Sequence, residues 1–321
     1  MTRISRLDWL LLLMTVIWGT NYALIKTAFR ELDPHVFNAL RLTLASTVMV
    51  SASAVFRRRW QARRLASDDD PGVVASIFHT PAPVTRGDLI RLAWLGLVGH
   101  CGYQYLFVGG LAKTSVANGA LLVSATPVVI TLLSTITGKE RIGALHWAGT
   151  LISLLGIYVV VGHGAHVTVA SLRGDAMLMG AVVCWALYTI GARPLMVRHS
   201  PVGVTALSML FGTLMYLPLA APRFARVPWE AVSALTWAKV IYSALFSICV
   251  AYTIWYAAVR AIGGARTSVY SNLLPIVAML TAYVWLHEPI GPGTLAGAAA
   301  VLAGVALTRL GQARLQIPAQ L

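Results

Sequence analysis

One guanidinium, Arg41, stands in an otherwise uncharged stretch from Pro34 to Phe56. Trp18, Asn21 and Tyr22 are spaced by three and four residues, so a helix puts them on one face. Trp185 and Tyr188 repeat that spacing. His100, Tyr103, Gln104 and Phe107 make a third set, and Tyr252, Trp255 and Tyr256 a fourth. Ring faces beside a few hydrogen-bonding groups hold an amphipathic or cationic small molecule without covalent chemistry. Catalysis has no candidates: there is no GxSx run with a positioned His, no HExxH and no carboxylate pair at membrane depth. Cys101, Cys184 and Cys249 lie singly in apolar stretches, so neither a disulfide nor a metal site is expected, and no cofactor.

The elements that position these residues follow from composition. Of 321 residues 58% are hydrophobic and 11% charged, against roughly 25% charged in an ordinary soluble domain. The mean hydropathy is +0.73. Such a chain cannot cover a water-facing surface, which excludes a soluble enzyme, a nucleic-acid binder and a disordered protein. Uncharged runs of 17 to 31 residues recur along it. A bilayer core takes about 20 residues of helix. The runs predict an all-α membrane protein with ten transmembrane helices: 8–28, 34–56, 89–110, 115–137, 144–162, 175–195, 201–220, 238–259, 266–286 and 293–310. The runs do not alternate with period two, so a barrel is not expected. The first apolar run has no small-residue cleavage site after it, and it reads as a retained span.

The net charge of +14 reads as topology. Alternate segments divide the basic residues 17 against 7, with Arg41 inside a span. The richer side is the cytoplasmic one, which places both termini inside. The segment 57–87, with Arg57-Arg58-Arg59 and Asp68-Asp69-Asp70-Pro71-Gly72, reads as a mobile, solvated cytoplasmic loop.

The two halves also match each other. Trp18 and Trp185, and Pro34 and Pro201, are 167 residues apart. Pro127 and Pro275, Glu140 and Glu288, Gly143 and Gly291, Gly149 and Gly297, and Gly156 and Gly304 are 148 apart. Tyr103 and Tyr252 are 149 apart. Five spans per half is an odd number, so the second half enters from the opposite side. This is a 5+5 inverted-topology repeat, with repeats at 1–164 and 165–321 and a site expected at their interface near midplane.

The first half carries Trp18-Gly-Thr-Asn-Tyr-Ala-Leu-Ile-Lys26, Asn38-Ala-Leu-Arg41, Gly110-Leu-Ala-Lys-Thr-Ser115, Ser124-Ala-Thr-Pro127 and Gly138-Lys-Glu-Arg-Ile142. The second half carries Arg266-Thr-Ser-Val-Tyr-Ser-Asn-Leu-Leu-Pro275 and Leu286-His-Glu-Pro-Ile-Gly291. These motifs resemble the drug/metabolite transporter superfamily and, within it, the EamA family. The resemblance covers the whole chain, apart from the long 57–87 insertion, and implies export of a small metabolite or drug-like compound.

The residues expected to line the cavity are Trp18, Asn21, Tyr22, Arg41, His100, Tyr103, Gln104, Ser124, Trp185, Tyr188, Tyr252, Trp255, Tyr256 and Asn272. Each has a packing alternative. Arg41 faces the cavity, or it snorkels or ties to a carbonyl. His100 reads as a hydrogen-bonded neutral ring in preference to a proton relay. Ser124 and Asn272 satisfy carbonyls freed by Pro127 and Pro275, or meet substrate. Glu140 and Glu288 cap or pair locally. The remaining tryptophans near span ends form an interfacial belt. Helices five and ten, rich in Gly and Ala, are scaffold or homodimer faces.

The expected function is a secondary transporter in the bacterial inner membrane. It exports amphipathic metabolites, amino acids or organic cations, by alternating access. A facilitative transporter of a sugar or phosphorylated metabolite is the alternative, and an intramembrane enzyme a remote one. Partners are the substrate and the lipid bilayer, with no nucleic acid. No Asp or Glu lies deep in a span, which leans against a carboxylate proton relay. A facilitator and an antiporter using His100 or an end-of-helix acid both stay open.

Overall fold

The structure, a computed structural model, describes residues 6–66, 77–78, 80, 82–126, 128–129, 132–133, 144–163, 168–262, 270 and 273–315. Ten principal helices run through them, with no strand among the described residues. They are α1 (Arg6–Ala28), α2 (Pro34–Ala66), α3 (86–111), α4 (Val116–Ser124) and α5 (Ala144–His163), then α6 (Val169–Arg198), α7 (Pro201–Phe224), α8 (234–262), α9 (Leu274–Leu286) and α10 (Pro292–Leu315). The helices over Arg6–Ala28, Pro34–Arg59, Val169–Arg198, Pro201–Phe224 and Ala234–Trp255 are each long and apolar enough to cross a bilayer. Shorter apolar helices cover Trp147–Val159, Leu274–Leu286 and Pro292–Leu307.

Helix starts follow the local sequence. Ser115, Ser200 and Ser233 each accept a backbone N–H of the first turn, and Pro201 follows Ser200 as the first helical residue. Thr85 and Asp88 bond reciprocally at the start of α3, as Thr168 and Ser171 do at α6. Two helices change pitch midway. Leu97–Gly102 in α3 and Ser243–Val250 in α8 are π-helical, and they directly precede the stretches that carry Tyr103 and Tyr252. Such stretches interrupt the i→i−4 ladder and often mark functional sites.

Helix α1 packs on α9 and α8, α2 on α7 and α8, α3 on α6 and α7, α4 on α6 and α9, and α5 on α10. The α5–α10 pair has the most extensive contact. A Cβ on Gly156 would meet Val301 N at 2.7 Å and Gly297 O at 2.9 Å; a Cβ on Gly304 would meet Gly149 O and Ser153 N at 2.5 Å. The glycine rows of both helices thus face each other within the chain.

One expectation is corrected. Residues 57–66 continue α2 as helix, so the three arginines Arg57-Arg58-Arg59 are on a helix and not in a loop. Arg, Gln, Ala and Leu are strong helix formers, and no Gly or Pro intervenes before Pro71. Part of the following segment is docked: Phe78 stacks on Phe56 at 4.3 Å, and Ser200 bonds to Thr80 Oγ1 and Phe78 O. The span-end tryptophans Trp9, Trp94, Trp147 and Trp285 are exposed, as an interfacial belt requires.

Asp88 ties this end of the molecule together. Its Oδ2 accepts Thr85 N–H and Oγ1–H and lies 3.2 Å from His199 Nε2, and Oδ1 is 3.7 Å from Arg198. The Thr85 bonds first, then His199 and Arg198, hold the carboxyl down at about 2. A carboxyl depressed in the fold contributes stability that is complete above its unfolded value near 3.9 and is lost as pH falls through about 2. Thermal melts of the detergent-solubilised protein should therefore lose stability between about pH 4 and pH 2, with a shallower loss for Asp88→Asn. Identical pH profiles for the two proteins would contradict this role for Asp88.

Candidate functional site: an aromatic centre around Arg41

Four of the ring sets predicted from spacing meet at the centre. The Trp18 ring (α1) lies 5.9 Å from both Tyr252 and Trp255 of α8. Trp185 (α6) is 6.2 Å from Tyr252, 5.4 Å from Tyr188 and 5.2 Å from Tyr103 of α3. Tyr103 stacks on Phe107, whose ring meets Tyr22 edge-on at 5.4 Å. A continuous path of rings therefore crosses from α1 through α8 and α6 to α3 and back to α1. Trp18, Tyr103, Trp185, Tyr252 and Trp255 are half-buried, whereas Tyr22 and Tyr188 are buried.

The π-helical stretches shape this centre. The Trp18 indole N–H donates to Ser247 O at 2.8 Å, a carbonyl inside the α8 stretch. In α3, Gly99 leaves room for the Tyr188 ring, whose Cγ would be 2.5 Å from a Cβ there. His100, in the same stretch, meets the Tyr188 ring edge-on at 5.0 Å.

Arg41 neither snorkels nor ties to a backbone carbonyl. It is 2% exposed and bonded wholly to neutral side chains. Nη2 donates to Asn38 Oδ1 and Gln104 Oε1, both at 2.6 Å, and Nη1 to Ser243 Oγ at 3.1 Å. Nε has no partner. A buried charge needs such bonds to remain charged. At the other end of this region Tyr105 stacks on His35 at 4.3 Å, and His35 Nδ1 is 3.0 Å from Tyr216 Oη.

The other expected residues divide. Gln104 finds its partner in Arg41. Asn21 is buried with Oδ1 unpartnered. His100 is buried with Nε2 unpartnered; its ring meets Tyr188 edge-on at 5.0 Å, and its Cβ lies against Gly212. Ser124 donates to Leu121 O at 2.6 Å, where α4 breaks at Ala125, so it satisfies a carbonyl within its own helix. Asn272 and the Tyr256 side chain lie outside the described residues, as do Pro127 and Glu140. Pro275 stands in the first turn of α9.

Glu288 does not pair locally. It reaches across to α4, accepting Val116 N–H at 2.9 and 3.1 Å and Ala117 N–H at 3.4 Å, and lies 3.6 Å from Lys26 of α1. Lys26 also donates to Thr114 O. His287 adopts a left-handed conformation, φ 53°, that turns the chain after α9 toward this contact. A carboxylate at a helix N-terminus satisfies orphan N–H groups and the positive end of the dipole. Glu288→Gln should lower the apparent melting temperature by several degrees, in line with roughly 1–2 kcal/mol for a charged cap, and Lys26→Met by less. Equal melting of Glu288→Gln and the parent protein would assign α4 another cap.

Sequence spacing missed Asn38, Ser243, Ser247, His35, Tyr105 and Tyr216. Asn38 was legible, three residues before Arg41 and so on its face. Ser243 was not, since a Ser in an apolar helix ordinarily bonds its own backbone, and the Ser247 contact is made by its carbonyl, which side-chain spacing does not mark.

Among the described residues, five helices long and apolar enough to span a bilayer and a ring-lined centre formed by α1, α3, α6 and α8 mark a multi-pass membrane protein. The model of the EamA-like transporter family matches residues 6–162 and again 172–310, and the chain belongs to that family. Its relatives are transporters. The chain is 26% identical over 309 residues to a probable terminal-alkyne amino-acid exporter of Streptantibioticus cattleyicolor, covering 95% of this chain and 94% of that one. It is 28% identical to the uncharacterised transporter YyaM of Bacillus subtilis over 72% of this chain and 76% of that one. An uncharacterised transporter of Archaeoglobus fulgidus is 25% identical over 92% and 96%. A solved structure at 20% identity shares the fold with a TM-score of 0.61, over 96% of this chain and 98% of that one. The protein acts in membrane transport.

Proposed function

We propose that the protein is a secondary transporter of the inner membrane that exports small amphipathic metabolites, with amino acids and organic cations as the candidate classes. Both termini face the cytoplasm. The observation that carries this reading is the ring path, because Trp18 and Tyr103 come from the first half of the chain and Trp185 and Tyr252 from the second. A site built by both halves changes shape when they rock against each other, which is what alternating access requires.

The packing supports the inverted repeat at 1–164 and 165–321. Exchanging α1–α5 with α6–α10 maps the principal helix pairs onto one another: α1–α9 becomes α6–α4, α1–α8 becomes α6–α3, and α2–α8 becomes α7–α3. The glycine contacts exchange too, Gly156 with Gly297 and Gly304 with Gly149. The π-helical stretches precede Tyr103 and Tyr252, which are 149 residues apart. Arg41 is the one buried Lys or Arg among the described residues, too little cation for a phosphorylated anion. A homodimer through α5 and α10 would use their outward rows, Leu151, Leu155, Tyr158 and Leu295, which are exposed.

The test is uptake and counterflow by purified protein in proteoliposomes against a panel of amino acids and organic cations. Saturable flux of at least one class is expected. No flux above protein-free vesicles across the panel would overturn the proposal.

A further inference from the structure

Among the described residues, Arg41 has no counter-ion. None of the ion pairs Lys26–Glu288, Arg198–Asp88 and Arg223–Asp33, nor the contact of His199 with Asp88, includes Arg41. A guanidinium has five N–H donors. Here three are used, all on neutral oxygens, which leaves Nε–H and one N–H on Nη1. A cation 2% exposed and without an anion is a costly arrangement, and in a membrane such a residue ordinarily serves a ligand. The neighbours Asn38, Gln104 and Ser243 orient the group without neutralising it. Its partner Gln104 directly follows Tyr103 of the ring path on α3, and its partner Ser243 begins the α8 stretch whose Ser247 O accepts the Trp18 indole N–H, so Arg41 borders the ring path.

We infer that Arg41 is the anchor for a substrate carboxylate, and that the transported class is zwitterionic or monocarboxylate compounds with an apolar side chain. This rests on the transport reading above and narrows it: free organic amines and other plain cations are excluded. A carboxylate would supply the missing anion and accept the unused donors, in the charge-assisted geometry that favours arginine. The apolar side chain would then lie against the rings of Trp18, Tyr103, Trp185 and Tyr252. An α-ammonium group has ring faces available to it, which stabilise a cation only modestly and would not offset repulsion from Arg41 in a ligand lacking the carboxylate. One guanidinium balances one carboxylate, which matches a monoanionic group and not a phosphate.

Three probes share one phenyl ring and divide its charges: L-phenylalanine, 3-phenylpropanoate and phenethylamine. Thermal shift of the full-length protein in detergent, titrated with each, gives apparent affinities, since binding to the folded state raises its melting temperature. L-phenylalanine and 3-phenylpropanoate are expected to bind roughly 10- to 100-fold more tightly than phenethylamine, the range of a charge-assisted bond. Arg41→Gln should abolish that preference, and Arg41→Lys should keep part of it. Phenethylamine binding as well as the two acids, or an undiminished preference in Arg41→Gln, would overturn the assignment. The wild-type comparison decides alone if Arg41→Gln does not fold. Wild-type flux confined to amines would refute the carboxylate anchor and leave the transporter standing; no flux of any class would refute both.

Discussion

Gly304→Val should leave little folded protein in the membrane. A Cβ at this position already meets Gly149 O and Ser153 N at 2.5 Å, both backbone atoms of α5 that no rotamer change moves away. Ordinary overpacking of a core costs roughly 1–3 kcal/mol. Here the added methyl groups would have to push α10 off α5 along their length, and the reciprocal contact of Gly156 with Gly297 and Val301 would open with it. The effect should exceed that range and fall on yield and on the monodisperse fraction in gel filtration. Ser153→Ala is the control. It removes one 3.3 Å bond to Val301 O, worth about 1 kcal/mol or less, and keeps the backbone approach. Parent-level yield of Gly304→Val would mean that the α5–α10 contact is not close-packed.

The second large effect belongs to transport. Trp18→Ala and Tyr252→Ala should each lower flux at least about tenfold, while the proteins reach the membrane and fold. Trp18 joins α1 to α8 twice, by ring contact with Tyr252 and Trp255 and by its indole bond to Ser247 O. Full burial of a Trp makes its truncation cost roughly 3–5 kcal/mol. Trp18 is only half-buried, so a smaller stability loss is expected and the functional loss should dominate. Trp18→Phe separates the two contributions: it keeps a ring and loses the donor to Ser247. Its flux should fall between the parent and the alanine variant. Wild-type flux in both alanine variants would assign the rings to packing.

The helices were legible because charge is scarce. Five predicted spans coincide with helices long and apolar enough to cross a bilayer, and Pro34, Pro201 and Ser115 mark helix starts. The convergence of Trp18, Tyr103, Trp185 and Tyr252 was legible from spacing and from the repeat, since residues that share a face in matched helices point at a common interface. The end of α2 is hidden in the sequence because a run of charge is also a loop signal; Arg57-Arg58-Arg59 is good helix sequence that merely leaves the apolar layer. The π-helical stretches were not legible, because one extra residue per turn in a uniformly apolar helix leaves no trace in hydropathy. Nor was the Glu288 contact: its partner Val116 is 172 residues away, and a single sequence carries no long-range pairing signal.

The central claim is that substrate occupies the ring-lined centre between the halves. Alkylation of Tyr103→Cys, in a protein with Cys101, Cys184 and Cys249 replaced by Ala, measures this directly with a membrane-permeant maleimide. Leu151→Cys, on the exposed outer face of α5, serves as the reference position. Saturating L-phenylalanine should slow labelling at position 103 several-fold and leave position 151 unchanged. Equal labelling at position 103 with and without L-phenylalanine would contradict the claim.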